Sequence, residues 1–282
     1  MSTIHITHND LDGVGCAILV KAALNEPVHT VFTDHDHLDA IIENGLTDFS
    51  SVIITDIAPS EAQLERIAGE KELLLIDHHK SSEDLAKHPF VVHSIEKCAT
   101  LLTYEKLSSM GHDIAAYEDF ARCVNDFDLW LLKRPDSLQM NMLLTLYGLD
   151  RFEKRFLAEP YKGFKPEETL LIELEQERRH SYMQNAFKNI RRFTDPDGQK
   201  FAVVFAETNT SELGNYIIVN SDVDYALIIN AQRGSASLRS RKEVDISQIA
   251  VRNGGGGHKN AAGFPLKVDF GLTEILKKIG IA

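Results

Sequence analysis

The sequence has few of the features that mark secreted, disulfide-bonded or membrane-embedded proteins. Only three of its 282 residues are cysteines, and Cys16, Cys98 and Cys123 form no Cys-x-x-Cys pair. Scattered cysteines in apolar contexts are typical of buried thiols in a reducing compartment and argue against a zinc site. The longest apolar runs, such as residues 51–55 and 73–76, are far shorter than the roughly 20 residues of a membrane span. The first residues lack the basic segment of a secretory signal, so we expect a soluble, cytoplasmic protein that does not bind membranes.

Positive charge is scarce in the first half of the chain. The formal net charge of −12 divides into −15 for residues 1–150, +2 for residues 151–195 and +1 for residues 196–282. A negative field opposes the binding of long duplex nucleic acid, which depends on many phosphate contacts. It permits a short substrate held in a local basic pocket, and it attracts cations to the first 150 residues.

Strand and helix patterns alternate in this acidic region. Strand patterns cover residues 4–7, 28–33, 51–55 and 73–76, and helical patterns cover residues 13–24, 37–43 and 61–69. This order predicts an α/β domain with a parallel sheet, whose near-continuous apolar strands are covered by helices on both faces. We assign residues 1–150 to this first domain.

The remainder of the chain is predicted to contain a connector and a second domain. Helical patterns at residues 99–109, 114–124 and 141–147 are followed by a charged helical connector, residues 151–195. The turn Asp195-Pro196-Asp197-Gly198 ends the connector. Residues 196–282 then form a smaller α/β domain, with strands at residues 201–205, 225–231 and 236–240 and a helix at residues 211–220.

Carboxylates and histidines follow three of the four predicted strands. They are His8, Asp10, Asp12, Asp56 and the run Asp77-His78-His79. In open α/β sheets the carboxyl ends of the strands form the ligand-binding edge, so these side chains are expected to converge. A single aspartate at such a position is often a helix cap, but the repetition at three strand ends favours a shared site.

The mixture of Asp and His predicts a site for two Mn²⁺ ions, with Mg²⁺ or Co²⁺ as alternatives. Asp56 is placed to bridge the ions, and Asp77 to orient the histidines. Two cations about 3.5–4 Å apart activate a bridging hydroxide and neutralise the attacking and leaving oxygens of a phosphoryl displacement. The first domain is therefore predicted to be a phosphoesterase centre.

A glycine-rich segment near the end of the chain predicts an anion site. Four glycines, residues 254–257, precede His258, and their entropic cost indicates unusual dihedrals or a close backbone approach. A helix starting near His258 would direct free N–H groups at an anion. Arg239 and Arg241 can fork onto phosphate oxygens. We therefore prefer a phosphate-binding loop to a flexible linker, and assign substrate binding to Arg239, Arg241, Gly255, Gly256, Gly257 and His258.

Together these motifs resemble the DHH phosphoesterase superfamily, in the subgroup that has a C-terminal DHHA1 domain. The resemblance spans nearly the whole chain, through residues 7–13, Asp56, residues 75–79, residues 124–126 and residues 254–263. It implies a DHH domain, a helical connector and a DHHA1 domain, with the active site in the cleft between the two domains. By motif, one Mn²⁺ is bound by His8, Asp10, Asp56 and Asp126, and the other by Asp12, Asp56 and His78. Without the resemblance, Asp126 and Asp128 are indistinguishable, because both could be solvated carboxylates at the end of a helix.

The resemblance also implies a function. By this resemblance His79 and Asp77 are expected to be catalytic residues. Arg239 and His258 match positions that bind phosphate in the DHHA1 domain. The compact two-domain form is similar to the nanoRNases, which indicates hydrolysis of short single-stranded RNA or DNA oligonucleotides, or of linear dinucleotides, to mononucleotides. Alternatives are a 3′-phosphoadenosine 5′-phosphate phosphatase, a cyclic (di)nucleotide phosphodiesterase and, from another class, a catalytically silent nucleotide-binding regulator. A homodimer is compatible with the sequence.

Several other polar and aromatic residues are interpreted as structural. His35 and His37 follow the second strand and are expected in a solvated loop instead of the site. The pairs Arg178-Arg179 and Arg191-Arg192 are expected on a solvated helix face. Phe127 and Trp130 could stack a base, but core packing is the preferred interpretation.

Overall fold

The chain divides into two compact units. The computed structural model describes residues 2–24, 26–266 and 276–280. The first unit is Met1–Glu173 and the second is Leu174–Ala282, so the division lies within one long helix. Each unit contains its own sheet and hydrophobic core, and each is described separately below.

The first unit is built on a five-stranded parallel sheet. Its strands and intervening helices are β1 (Thr3–His8), α1 (Leu11–Ala23), β2 (Val28–Thr33), α2 (His35–Asn44), β3 (Ser51–Thr55), α3 (Glu61–Glu70), β4 (Glu72–Asp77) and β5 (Val91–His93). The strand order is β2-β1-β3-β4-β5, and every neighbouring pair is parallel. The predicted α/β class and parallel sheet are confirmed. The short strand β5 was not predicted.

Alternation along the strands accounts for burial on both faces of this sheet. Ile4, Ile6 and Ile54 belong to one buried cluster, together with residues of α2 and α3. Helix α1 covers the other face, where Ile53 joins a second cluster. Because β2 and β3 flank β1 on opposite sides, the crossovers diverge at β1, and such a point is where open α/β sheets bind ligands.

Helices complete the first unit. They are a 3₁₀ helix (Lys80–Lys87), α4 (Ala99–Ser109), a 3₁₀ turn (Ala115–Tyr117), α5 (Glu118–Asp128), α6 (Ser137–Ala158) and α7 (Pro166–Lys188), which continues into the second unit. Phe120, Phe152 and Phe156 are fully buried where α5 meets α6. Gly148 has a φ of 69° and breaks the regular course of α6. Within the described residues, no helix is both long enough and apolar enough to cross a bilayer.

The second unit contains a six-stranded mixed sheet. Its elements are β6 (Arg191–Thr194), β7 (Lys200–Phe205), α8 (Thr210–Asn220), β8 (Tyr225–Asn230), β9 (Ser235–Ser240), α9 (Ser247–Arg252), β10 (Gly256–His258) and β11 (Ala261–Pro265). The strand order is β10-β11-β9-β8-β7-β6, and only β7 and β8 are parallel among these pairs. The sheet confirms the second α/β region.

The glycine-rich segment has a different conformation from the one predicted. Gly256–His258 is a strand that pairs with β11, so the helix expected to begin near His258 is absent and that prediction is wrong. The physical reason is the register of the hairpin: Ala261 and Ala262 also pair with Arg239 and Leu238 of β9. Strand pairing on both sides of β11 satisfies the backbone of a sequence too rich in glycine to favour a helix.

Candidate metal centre

The polar residues that follow β1, β3 and β4 converge at the carboxyl edge of the first sheet. Three overlapping sets have ligand atoms within 4.8 Å of one another: His8, Asp10 and Asp56; Asp12, His78 and Asp128; and Asp56, His78 and His79. The convergence follows from strand register, because Thr7 pairs with Thr55 and Thr55 pairs with Ile76. We treat His79 separately and call the other six residues of these sets the metal cluster: His8, Asp10, Asp12, Asp56, His78 and Asp128.

His8 and Asp10 form one edge of the metal cluster. His8 Nδ1 lies 2.8 Å from Asp10 Oδ2 and 3.8 Å from Asp56 Oδ2. The hydrogen bond with Asp10 holds the pKa of His8 above its ordinary value. Asp10 also caps α1, because the Gly13 N–H donates to Asp10 Oδ1 over 3.0 Å. The capping role considered from the sequence thus coexists with a position in the cluster.

Asp12 is buried and fixed by the start of α4. The Ala99 and Thr100 N–H groups donate to its two carboxylate oxygens, each over 2.7 Å. Oδ2 of Asp12 still lies 3.5 Å from Nε2 of His78. The free N–H groups at the N-terminus of α4 thus find acceptors in Asp12, and the buried carboxylate finds donors for both of its oxygens.

Asp56 lies at the centre of the metal cluster in a strained conformation. Its φ is 59°, in the left-handed region, and its side chain is buried. Oδ1 lies 3.3 Å from Nε2 of His78, whereas the buried Oδ2 accepts no hydrogen bond from any residue that the structure describes. A buried carboxylate oxygen without a donor is costly in free energy. A cation between Asp56 and its neighbours would supply the missing interaction.

Asp77 organises the two histidines that follow β4. Its carboxylate accepts hydrogen bonds from the His78 N–H and from His79 Nδ1, both over 2.8 Å, and from the Ser82 hydroxyl. The bond with Asp77 raises the pKa of His79 above its ordinary value. Burial lowers the pKa of His78 and therefore favours the neutral imidazole that ligates metals. His93 Nε2 lies 2.9 Å from the His79 carbonyl oxygen, which places β5 behind this turn.

The structure replaces Asp126 by Asp128 in the candidate ligand set. The Asp126 carboxylate accepts hydrogen bonds from the Lys133 and Arg134 N–H groups, both over 3.0 Å, and it is not a member of the cluster. Asp128, the last residue of α5, lies 3.6 Å from His78 Nε2. The geometry therefore favours Asp128 over Asp126, whose oxygens hold the following loop, and the assignment of Asp126 from the family resemblance stays a prediction.

Repulsion between the carboxylates makes the cluster suited to cations. Burial, followed by the charges of Asp12 and Asp10, raises the pKa of Asp128 to about 8. The same three causes raise the pKa of Asp56 well above its ordinary value. Hard divalent cations prefer oxygen ligands, with imidazole acceptable to Mn²⁺, and they would relieve this repulsion. The donor set and the unpartnered Asp56 oxygen both fit a divalent metal centre.

Three residues that were interpreted as structural lie differently from expectation. His35 is exposed, but its ring centroid lies 6.2 Å from that of His8 and 6.4 Å from that of His79, at the rim of the cluster. Trp130 is 49% exposed, so the core packing predicted for it is wrong, whereas Phe127 packs against the core. Arg179 is buried, where it forms an ion pair with Glu175, and is not solvated as predicted.

The predicted substrate-binding residues of the second unit fall into two groups. Arg239 is partly buried on β9 and donates to Ser211 Oγ over 2.5 Å, and the exposed His258 lies on β10. Arg241 is occupied elsewhere, because its guanidinium donates to the carbonyls of Val223, Ile218 and Ser221. The assignment of Arg241 to substrate is therefore corrected: this side chain fastens β9 to the end of α8.

Close backbone approach explains two of the glycines. A Cβ on Gly255 would lie 2.0 Å from the Gly263 carbonyl oxygen. Gly257 has a φ of 133°, and its Cβ would lie 2.6 Å from the Ala261 carbonyl oxygen. A Cβ on Gly256 meets nothing within 4 Å. The predicted need for close approach is thus met within the hairpin, at residues 255 and 257.

Comparisons with known proteins show the family of this chain. Residues 198–280 match the DHHA1 domain family. The chain is 32% identical over 285 residues to oligoribonuclease NrnB of Bacillus subtilis (strain 168), covering 91% of this chain and 71% of that protein. It is 22% identical over 332 residues to a 3′,5′-cyclic-nucleotide phosphodiesterase of Helicobacter pylori, covering 93% and 92% of the two chains.

Solved structures show the same fold. RecJ of Thermus thermophilus, solved in complex with Mn²⁺, superposes with a TM-score of 0.60 at 16% identity. The match covers 98% of this chain and 51% of that one. At this identity the likeness concerns the fold alone.

Proposed function

The chain belongs to the DHH phosphoesterase family and is a phosphodiesterase of that family, and from this premise we propose that it hydrolyses short RNA oligonucleotides to mononucleotides with two bound Mn²⁺ ions. Linear dinucleotides are the shortest substrates in this class. The proposal is supported by the 32% identity to an oligoribonuclease over most of both chains. Mg²⁺ and Co²⁺ are expected to substitute in part, because their ligand preferences overlap with those of Mn²⁺.

The single observation that carries the proposal is the position of Asp56. Its unpartnered Oδ2 faces His8, and its Oδ1 faces His78, so one carboxylate joins the two triads of the cluster. We assign one cation to His8, Asp10 and Asp56, and the other to Asp12, His78, Asp128 and Asp56. When bound, two such cations lower the pKa of water and neutralise charge on a phosphate.

Asp77 and His79 are proposed to act on the substrate phosphate. Asp77 holds His79 through Nδ1, which leaves Nε2 of this partly exposed ring free to donate a hydrogen bond to a phosphate or leaving oxygen. The hydrogen bond with Asp77 raises the pKa of His79 and so favours the protonated ring that such a donor requires. Asp77 is thereby a positioning residue, and His79 contacts the substrate.

We propose that the second unit binds the substrate phosphates through Arg239, His258 and the backbone of the glycine-rich hairpin. The Arg239 guanidinium donates from Nη1 to the Leu238 carbonyl and from Nη2 to Ser211 Oγ, and these two bonds fix the orientation of the group that a phosphate would meet. Gly255, Gly256 and Gly257 allow the backbone to approach an anion closely. The match of residues 198–280 to the DHHA1 domain family supports this assignment.

A labelled RNA dinucleotide tests the proposal. We expect mononucleotide release with Mn²⁺, none with excess chelator, and recovery when Mn²⁺ is returned. Asp56→Asn should lack this activity, and Asp48→Asn, an exposed carboxylate from the same unit, should retain it. Absence of Mn²⁺-dependent release, or full activity of Asp56→Asn, would contradict the proposal.

Hydrolysis of a cyclic nucleotide is the second candidate. It is favoured by the 22% identity to a 3′,5′-cyclic-nucleotide phosphodiesterase over nearly the full length of both chains. The two activities share the metal cluster and differ in the shape of the substrate. A panel of dinucleotide, longer RNA, cyclic nucleotides and 3′-phosphoadenosine 5′-phosphate, compared by kcat/KM, separates them. A preference for the cyclic compounds would replace the first proposal by this one.

A further inference from the structure

A large aromatic side chain lies exposed immediately after the metal cluster. Trp130 is 49% exposed, and its neighbours Leu131 and Leu132 are 45% and 37% exposed. The Trp130 ring contacts the partly buried Phe127 edge-on, with 5.8 Å between centroids. Exposed apolar side chains in a contiguous run mark binding surfaces more often than isolated ones do.

The loop that carries Trp130 is held in an unusual conformation by one residue. Trp130 and Leu132 have φ values of 54° and 49°, which are costly for side chains of this size. The Asp126 carbonyl accepts the Leu131 and Leu132 N–H groups, and its carboxylate accepts those of Lys133 and Arg134. Four consecutive amides thus converge on Asp126. Backbone strain at Trp130 and Leu132 is therefore offset by hydrogen bonds to Asp126, which hold the loop in one conformation.

The position of the loop links it to the metal cluster. Trp130 follows Asp128 by two residues, so their Cα atoms lie within about 7 Å of each other. The Asp128 carboxylate lies 3.6 Å from His78 within the cluster. This short separation places the Trp130 backbone beside the cluster, where the nucleoside attached to a bound phosphate would also lie. Lys133, three residues further along the same loop, is exposed and gives the loop a positive charge.

We propose that Trp130 is a stacking platform for a nucleobase of the substrate held at the metal cluster. The inference rests on the proposed function and specifies how that site selects nucleotides over other phosphate esters. An indole face stacks on any base, so the platform favours nucleotides without selecting a base sequence. A bound nucleotide would account for three features together: the exposure of Trp130, the strained loop that carries it and the positive charge of Lys133.

Because Trp130 is the only tryptophan of the chain, its fluorescence reports directly on the platform. We expect AMP, added to the Mn²⁺-loaded protein, to quench the emission in a saturable manner. Ribose 5-phosphate, which has the phosphate and sugar but no base, should leave the emission unchanged. Equal responses to both compounds, or none to AMP, would overturn the proposal. A shift that depends on protein concentration and persists without nucleotide would also overturn it, since a second copy of the chain would then cover Trp130.

Substitutions provide a second readout. Trp130→Ala should raise KM for an RNA dinucleotide by about 10-fold to 100-fold, with kcat changed far less, because one base stack is lost. Trp130→Phe should restore most of the affinity. Met110→Ala, the matched control at an exposed apolar residue that follows the C-terminal end of α4, should leave KM within about twofold. An unchanged KM in Trp130→Ala would contradict the stacking platform but not the proposed hydrolysis. Quenching by AMP in a protein that hydrolyses no dinucleotide would contradict the proposed function but not the platform.

Discussion

The metal cluster and the glycine-rich hairpin are both predicted to meet phosphate, but they are constructed in opposite ways. In the cluster, side chains supply the candidate ligands, and carboxylates such as Asp12 and Asp56 are buried and crowded together. In the hairpin, the backbone is proposed to contact the anion, and β10 is exposed throughout. Substitution of a buried cluster side chain is costly, whereas substitution in the hairpin matters only where backbone segments touch. The two regions should therefore respond very differently to substitution.

The largest effect is expected at Asp56. Asparagine tolerates the left-handed φ of 59° that this position requires, so Asp56→Asn removes the charge with little backbone strain. We expect kcat/KM for an RNA dinucleotide to fall by about 10³-fold or more, because the carboxylate that joins the two triads is lost. Steady-state kinetics at saturating Mn²⁺ measures this. A fall of less than about tenfold would show that Asp56 does not join the two triads.

A paired substitution at Asp128 and Asp126 separates ligand from scaffold. Asp128→Asn should weaken binding of one Mn²⁺ by about 100-fold and leave thermal stability of the metal-free protein unchanged or higher, because repulsion within the cluster is relieved. Asp126→Asn should cost about 1–3 kcal/mol of unfolding free energy, because one oxygen that accepts a buried N–H is replaced by an amide donor.

Denaturant unfolding and metal titration of the two variants check this pair. The reverse pattern, with metal affinity lost in Asp126→Asn and stability lost in Asp128→Asn, would restore the ligand set first expected from the family resemblance.

The hairpin offers a matched pair of its own. Gly255→Ala places a methyl group 2.0 Å from the Gly263 carbonyl oxygen, so β10 and β11 must separate locally. We expect KM for the dinucleotide to rise by about tenfold while Mn²⁺ affinity is unchanged. Gly256→Ala, which meets nothing within 4 Å, should change KM by less than about twofold. Equal effects of the two substitutions would mean that close approach within the hairpin does not govern substrate binding.

The smallest predicted effect is a pH dependence of metal binding. Burial and the neighbouring carboxylates raise the pKa values of Asp56 and Asp128, and the hydrogen bond with Asp10 raises that of His8, so protons compete with Mn²⁺ for these three groups. Because the folded pKa of Asp128 exceeds its unfolded value, this carboxyl contributes stability at low pH that is lost as pH rises through about 8. Mn²⁺ displaces the protons, so its affinity and the Tm difference between loaded and metal-free protein should both increase from about pH 6 to about pH 8.5.

Thermal scans of both forms across this range measure the effect. A Tm difference that stays constant or shrinks with rising pH would contradict the proton displacement.

The sheet and most of the cluster were predictable from sequence because local patterns determine them. The strands β2 and β3 have the predicted bounds, residues 28–33 and 51–55, since runs of β-branched and apolar residues end there at polar segments. Parallel pairing then brings His8, Asp56 and Asp77 to one edge regardless of the details of packing. This logic places a residue at a strand end, but it does not say which way a side chain points.

The errors arose where side-chain direction or long-range pairing decides the structure. Asp128 continues the stripe of Ala121 and Val124 along α5, at i, i+3 and i+7, and this helical periodicity is a signal that could have separated it from Asp126, although it was not used. No local signal showed that residues 256–258 would form a strand, because that strand depends on pairing with β11. Likewise, Trp130 is exposed because Asp126 binds four amides of the following loop, which sequence periodicity does not encode.

The most direct test of the central claim is the number of Mn²⁺ ions that the metal-free protein binds. Calorimetric titration with Mn²⁺, with the bound metal counted by elemental analysis after removal of free ion, gives this number for the wild type and for Asp56→Asn. The joined triads of the cluster predict two Mn²⁺ per wild-type chain and loss of tight binding in Asp56→Asn. A wild-type chain that binds no Mn²⁺, or an Asp56→Asn chain that binds the same number with the same affinity, would contradict it.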